Sequence, residues 1–214
     1  KITGEVNAND FFFMRDEMSM LQAVNMKDIR IESCKVGYTE YYENEIPSKA
    51  FNNKSLLSKY VMPDYVKVIG DNAFSGTHLS GYLRLPDGLT KIGNSAFYQL
   101  NITSLELPNT LVEVGASAFS GCKYLIGSLR LPSTLLKIGS SAFSGCNNLS
   151  GELQLPESLE VLGSHAFSNC GFSGSIKIPP KVKKVEDYVF YACSKLDGQL
   201  ILHDVILEIG NYAF

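Results

Sequence analysis

The chain has 214 residues, 45% of them hydrophobic and 19% charged, with 19 basic and 22 acidic side chains for a formal net charge of −3. That length fits one domain or two small ones, and the charge argues against a nucleic-acid-binding or anionic-membrane surface. No apolar run approaches the roughly 18 residues needed to span a bilayer, and no signal peptide is visible, although an opening KITGEV without an initiator Met looks cut from something longer.

In chain order, Asp10 is placed to cap a helix that carries Phe11, Met14, Met18 and Leu21 on one face. Leu21, Val24 and Met26 then give a strand of L-x-x-L-x-L type. Residues 1–47 read as an N-terminal cap of atypical, longer repeats, because the outer face of a terminal coil has no neighbour to cover it. Tyr38, Tyr41 and Tyr42 are either an exposed aromatic contact or the packing of this cap onto the first coil, and packing is expected. Cys34, alone in this region, is expected to be a free thiol.

From residue 48 the chain repeats. Residues 116–139, ASAFSGCKYLIGSLRLPSTLLKIG, are followed by 140–163, SSAFSGCNNLSGELQLPESLEVLG. Similar copies occupy 48–70, 71–93, 94–115, 164–186 and 187–210, and NYAF ends the sequence in mid-repeat. The anchor Phe recurs at 51, 74, 97, 119, 143, 167, 190 and 214, at intervals of 22 to 24 residues. A fixed period of this length is the mark of a leucine-rich repeat array. We expect residues 48–214 to form that array, continuing past Phe214 or stopping there.

Each unit can be read physically. Leu129-Arg130-Leu131 alternates apolar and polar side chains, as a strand with one buried face does, and Pro132 ends it. Leu135 and Ile138 return to the core, and Gly139 is expected to turn with a positive φ. Ser140 and its equivalents, Asp71, Asn94, Ser164, Asp187 and Asn211, are preferred helix N-caps, so the Ala-Phe segment is expected to open a short helical turn. One unit cannot bury its own Leu, Ile and Phe side chains; stacked units can, by aligning them in columns. The predicted fold is an α/β repeat, a leucine-rich repeat solenoid with a parallel β-sheet on one face and short helical turns or loops on the other.

The pattern LxLPxxLxxIGxxAFxxCxxL resembles the BspA-like class of leucine-rich repeats, which occur in cell-surface and secreted proteins of Bacteroidetes and in some mucosal protozoa. The N-terminal KITGEVNANDFFFMRDEMSMLQAVNMKDIRI and the junction YYENEIPSKAF resemble the corresponding region of Bacteroides members. The resemblance covers essentially the whole chain. It implies a non-enzymatic module at the cell surface or secreted, adhering to host matrix proteins or to neighbouring cells, with a glycan as a further candidate ligand. Glu186 departs from the pattern in place of the turn Gly, His203 in place of the Pro and Val189 in place of the Ala before Phe190.

Cys122, Cys146, Cys170 and Cys193 share one slot, three residues after the anchor Phe. Repeat-length intervals do not match zinc-site spacing, and side chains in one column point the same way, so we expect buried, unbonded thiols rather than a metal or redox ladder. His78, His165 and His203 fall in different slots and do not converge. No catalytic constellation, metal site or cofactor is expected, and a monomer is.

The outward strand positions are more informative. One column holds Tyr82, Ser104, Ser128, Glu152 and Ser175; the next holds Arg84, Glu106, Arg130, Gln154 and Lys177. Arg84, Glu106 and Arg130 are expected to form side-by-side ion pairs. This face is either a surface for a macromolecular partner or a solubilising face laced with cross-strand pairs. The expected function is a protein-binding or adhesion module that uses it; the alternative is a spacer that presents another domain.

Overall fold

The computed structural model describes residues 4–214, so Lys1, Ile2 and Thr3 of the opening KITGEV lie outside the described residues. The chain winds into a β-solenoid of parallel coils with, among the described residues, a single α-helix, Ala8–Asp16. That helix starts one turn earlier than expected. Asn7 is its N-cap, and Asp10 sits at the third helical position, where its carboxylate accepts from the Asn7 backbone N–H at 2.8 Å. The reciprocal pair satisfies both orphan donors and ends any role for Asp10 as the cap itself. The helix stops at Asp16, so Phe11 and Met14 are buried on it while Met18 and Leu21 lie beyond its end.

The core is a set of columns. Phe51, Phe74, Phe97, Phe119, Phe143, Phe167, Phe190 and Phe214 stack ring on ring, with centroids 5.2 to 5.8 Å apart and planes within 19° of parallel. Phe11 closes the N-terminal end of this stack edge-on against Phe51, at 5.7 Å. Burying one such side chain contributes roughly 1.5–3 kcal/mol, so each coil is stable only against its neighbours.

The main sheet does not use the segment the sequence suggested. Its six parallel strands are Glu45–Ile46, Val68–Ile69, Lys91–Ile92, Glu113–Val114, Lys137–Ile138 and Val161–Leu162; the last five lie just before the repeat glycine, and Pro47 follows the first. The glycine explains why. Gly139 does not have a positive φ. A Cβ on it would sit 2.5 Å from the Ala116 backbone nitrogen, and one on Gly70 only 2.4 Å from that of Ser48. The residue is small so that successive backbones can approach, in the way glycine serves close contacts elsewhere. The departure at Glu186 has a matching consequence. Among the described residues the six-stranded ladder ends at Val161–Leu162 and resumes as a separate pair, Lys184–Val185 with Glu208–Ile209.

The Ala-Phe segment is not a helical turn. Ser95, Ser117, Ser141, His165, Tyr188 and Tyr212 all have φ between 51° and 59° or 60°, in the left-handed region. Their backbone donors reach the next coil: Ser141 N–H to the Ser164 carbonyl and Phe143 N–H to the Ala166 carbonyl, both at 2.8 Å. The residues read as caps serve the same stack. Asp71 accepts from the Asn94 N–H at 2.7 Å, Asn94 from the Ala116 N–H at 2.8 Å and Asp187 from the Asn211 N–H at 2.6 Å. Asp, Asn and Ser suit this role for the reason that makes them good caps: a short side chain with an acceptor held close to the backbone.

Candidate functional site

Leu-x-Leu-Pro segments form the face on which the sequence placed the binding residues. Here pairing is broken. Ala23–Asn25 pairs with Lys59–Val61, Ser80–Arg84 with Asn101–Glu106 and Ile176–Lys177 with Leu200–Ile201, each as an isolated parallel pair. Residues 128–131 and 152–155 lie between the second and third pairs. Among the described residues no backbone hydrogen bond joins either segment to its neighbours. Glycines 81, 127, 151 and 174, with φ from 78° to 83°, kink the chain just before each Leu-x-Leu.

Two of the gaps open into grooves. One, of about 660 Å³, lies between Tyr60–Met62 and Tyr82–Asp87. The other, of about 470 Å³, lies between Leu105–Asn109 and Ser128–Pro132. Tyr82 borders both and is 61% exposed.

The side chains alternate as a pleated segment requires. Leu83, Leu129, Leu153 and Ile176 are buried. Tyr82, Arg84, Glu106, Ser128, Arg130, Glu152, Gln154 and Lys177 are exposed, with Ser104 and Ser175 half-buried. Arg84 and Glu106 are register neighbours, but the expected ion pairs do not form. Arg84 turns to Asp87, three residues on, at 3.2 Å, and Glu106 accepts from the Tyr82 hydroxyl. Lys177 reaches Glu157 at 2.6 Å, and the Ser175 hydroxyl accepts from the Gln199 N–H at 2.9 Å. Among the described residues the side chains of Arg130, Glu152, Gln154 and Ser128 have no hydrogen-bond or ion-pair partner. The broken ladder, and with it the grooves, was missed in the sequence. The available signal was the Gly two residues before each Leu-x-Leu and the longer repeats around 127 and 151.

Cross-coil charge pairing of the expected kind forms instead on the continuous sheet, where Glu113 bridges Lys91 at 3.3 Å and Lys137 at 2.9 Å. These pairs are at the surface and worth at most about 1 kcal/mol each.

The cysteine column is buried and its thiols are unbonded to one another; Cys34 is half-buried and also free. Each thiol in the column donates to the anchor-Phe carbonyl of the coil before it: Cys122 to Phe97 at 3.2 Å, Cys146 to Phe119 at 3.3 Å, Cys170 to Phe143 at 3.2 Å and Cys193 to Phe167 at 3.0 Å. Burial pushes all four thiols up, Cys122 to about 12, so they carry no thiolate near neutral pH and are poor nucleophiles. The histidines stay apart. His165 bonds Ser164 through Nδ1 at 2.8 Å and stacks on Tyr188, while His203 contacts the Val182 carbonyl through Nε2 at 3.0 Å. At the other end, Tyr41 packs edge-on against Phe12 at 5.6 Å, whereas Tyr38 and Tyr42 project into solvent.

Parallel coils of 22 to 24 residues, with apolar columns and one anchor aromatic per turn, define a leucine-rich repeat solenoid. Residues 44–127 and 124–214 match the model of the BspA type leucine rich repeat region, in six copies, and the chain belongs to that family. Among solved structures, the leucine-rich repeat protein of T. pallidum is 28% identical. The match covers 88% of this chain and 72% of that one, with a TM-score of 0.52. A leucine-rich repeat protein from Bacteroides ovatus is 23% identical over 90% of this chain and 72% of its own, at a TM-score of 0.49. A leucine-rich cell surface protein from Faecalibacterium prausnitzii is 19% identical over 92% of this chain and 64% of its own, at 0.44. No curated protein matches the chain. Among the described residues no helix is long and apolar enough to cross a membrane, and no three metal-ligating side chains cluster.

Proposed function

We propose that the chain is a non-enzymatic binding module of a cell-surface or secreted protein, and that it contacts a host or neighbouring-cell surface protein through the Leu-x-Leu-Pro face. One observation carries this reading: among the described residues, the side chains of Ser128, Arg130, Glu152 and Gln154 on that face, and the backbone beneath them, have no intramolecular partner. Polar groups that contribute nothing to the fold are available to a partner. Tyr82 borders both grooves, with Arg84 lining one and Arg130 the other, and exposed Tyr and Arg are the residue types that dominate binding energy at interfaces. Membership of the BspA type family supports the extracellular setting.

The test is a screen of the chain against arrayed matrix proteins and glycans, repeated with Arg84, Glu106 and Arg130 each replaced by Ala. Binding that weakens in these variants, with unchanged folding by circular dichroism, is the expected result. Binding indifferent to all three would place the contact on another face. Silence across the whole array would favour a spacer.

A further inference from the structure

We propose that the groove between Leu105–Asn109 and Ser128–Pro132 takes an extended peptide bearing a carboxylate, with the Arg130 guanidinium as its anchor. This rests on the reading of the Leu-x-Leu-Pro face as the binding surface and names the chemistry of what it binds.

The charges in the groove carry the inference. Its lining includes two carboxylates and one guanidinium. Asp87 is held by Arg84 at 3.2 Å, and Glu106 accepts from the Tyr82 hydroxyl. Asp87 is therefore answered from outside the groove, and Glu106 by a hydroxyl on its border. Arg130 is exposed and, among the described residues, has no partner, although its strand position is the one where the alternation of Arg84 and Glu106 calls for a salt bridge. A guanidinium presents a planar fork of donors, and the ligand group that matches it in shape and charge is a carboxylate. A multiply charged phosphate is a poorer fit, because Glu106 and Asp87 lie in the same groove.

The rest of the lining indicates what the carboxylate is attached to. Leu105, Leu107 and Leu131 are half-buried and give an apolar strip along the groove floor, with Pro108 and Pro132 at one end. Beside the strip, the backbone of 128–131 offers donors and acceptors that, among the described residues, neither neighbouring coil uses. An extended polypeptide satisfies both, with its main chain bonding the unused strand groups and alternate side chains reaching the strip. A neutral glycan would leave Arg130 unanswered.

A phage-displayed library of linear peptides, panned against the chain of residues 1–214, tests this. Selected peptides are expected to share an Asp or Glu within an otherwise apolar extended segment. Arg130→Gln is expected to weaken the best of them roughly tenfold, a charge-assisted contact of about 1.4 kcal/mol. Changing the peptide's Asp to Asn should cost the same factor in the native chain and nothing further in R130Q, the sign of a direct pair. R130K should recover part of the loss. Selected peptides without an acid, or equal Asp-to-Asn losses in native and R130Q chains, would overturn the proposal. Binding abolished by Tyr82→Ala but indifferent to R130Q would overturn the anchor and leave the face standing; binding indifferent to both would remove the face as well. An empty selection would overturn the peptide, while the array of matrix proteins still judges the face.

Discussion

The thiol of Cys122 donates to the carbonyl of Phe97, one coil earlier, at 3.2 Å. No backbone donor reaches that carbonyl among the described residues. The next rung differs: the Phe119 carbonyl accepts both the Cys122 backbone N–H, at 3.2 Å, and the Cys146 thiol, at 3.3 Å. Two cysteines in one column, equally buried, therefore do unequal work. Cys122→Ala strands a buried acceptor, whereas Cys146→Ala leaves its acceptor with one bond. Both variants lose packing, so the expected difference between them is the cost of the stranded acceptor, about 1 kcal/mol more for Cys122→Ala. Urea midpoints of the two variants, compared with the unaltered chain, measure it; equal shifts would dismiss the hydrogen-bond role.

Alkaline pH should expose the same column. Burial holds the Cys122 thiol at about 12, against an ordinary value of 9.0. A folded pKa above the unfolded one means the stabilisation is complete below pH 9 and is lost as the unfolded chain releases its proton first. Between pH 9 and 12 this thiol alone removes about 1.4 kcal/mol per pH unit. Thr77 fills the same slot in an earlier coil and donates to Phe74 at 2.8 Å, so Cys122→Thr is the natural control. The variant's stability should fall less steeply above pH 9 than that of the unaltered chain. Parallel profiles would show that the thiol does not titrate as its burial demands.

The N-terminal helix depends on one reciprocal pair. Asn7 accepts from the Asn9 N–H at 3.0 Å, and Asp10 bonds back to the Asn7 N–H. Asn7→Ala should cost about 1 kcal/mol. Because this helix carries Phe11 onto Phe51, the loss should appear as faster amide exchange in the first coils before the last ones. Uniform change along the chain would mean that the cap and the coils unfold as one unit.

Sequence alone revealed the columns because each repeat reports on the same packing site; eight aligned Phe positions specify a stack without any coordinates. Exposure on the Leu-x-Leu segments followed from alternation, which needs only a pleat. What stayed hidden is set between coils rather than within one. The choice of which segment pairs depends on how closely two backbones approach, and a Gly permits approach and positive φ alike; Gly139 uses the first and Gly127 the second. The Ala-Phe turn was misread for a related reason: Asp71, Asn94 and Asp187 carry the short acceptor side chains that cap helices, but here those acceptors bond the next coil, and the left-handed residue is the one that follows each of them. Ion pairing was misread because register puts Arg84 beside Glu106 but does not exclude a nearer acid, and Asp87 is nearer.

The two kinds of glycine give the last prediction. At Gly139 a Cβ would lie 2.5 Å from the Ala116 backbone, and no flexible side chain can give way. At Gly81 nothing lies within 4 Å, but φ is 80°. Gly81→Ala therefore meets only left-handed strain, roughly 1–2 kcal/mol. Gly139→Ala must push two coils apart and break the ladder on either side, and should cost more, above about 3 kcal/mol. Glu186 is the same experiment already present in the sequence, and the sheet is broken there. Glu186→Gly should let Lys184–Val185 close onto Val161–Leu162, giving seven or more strands in register. Hydrogen exchange reads the outcome directly: amides near 184–186 should become protected in the variant. If they exchange as fast as before, the break belongs to the Pro179-Pro180 bend of that coil and Glu186 merely occupies it.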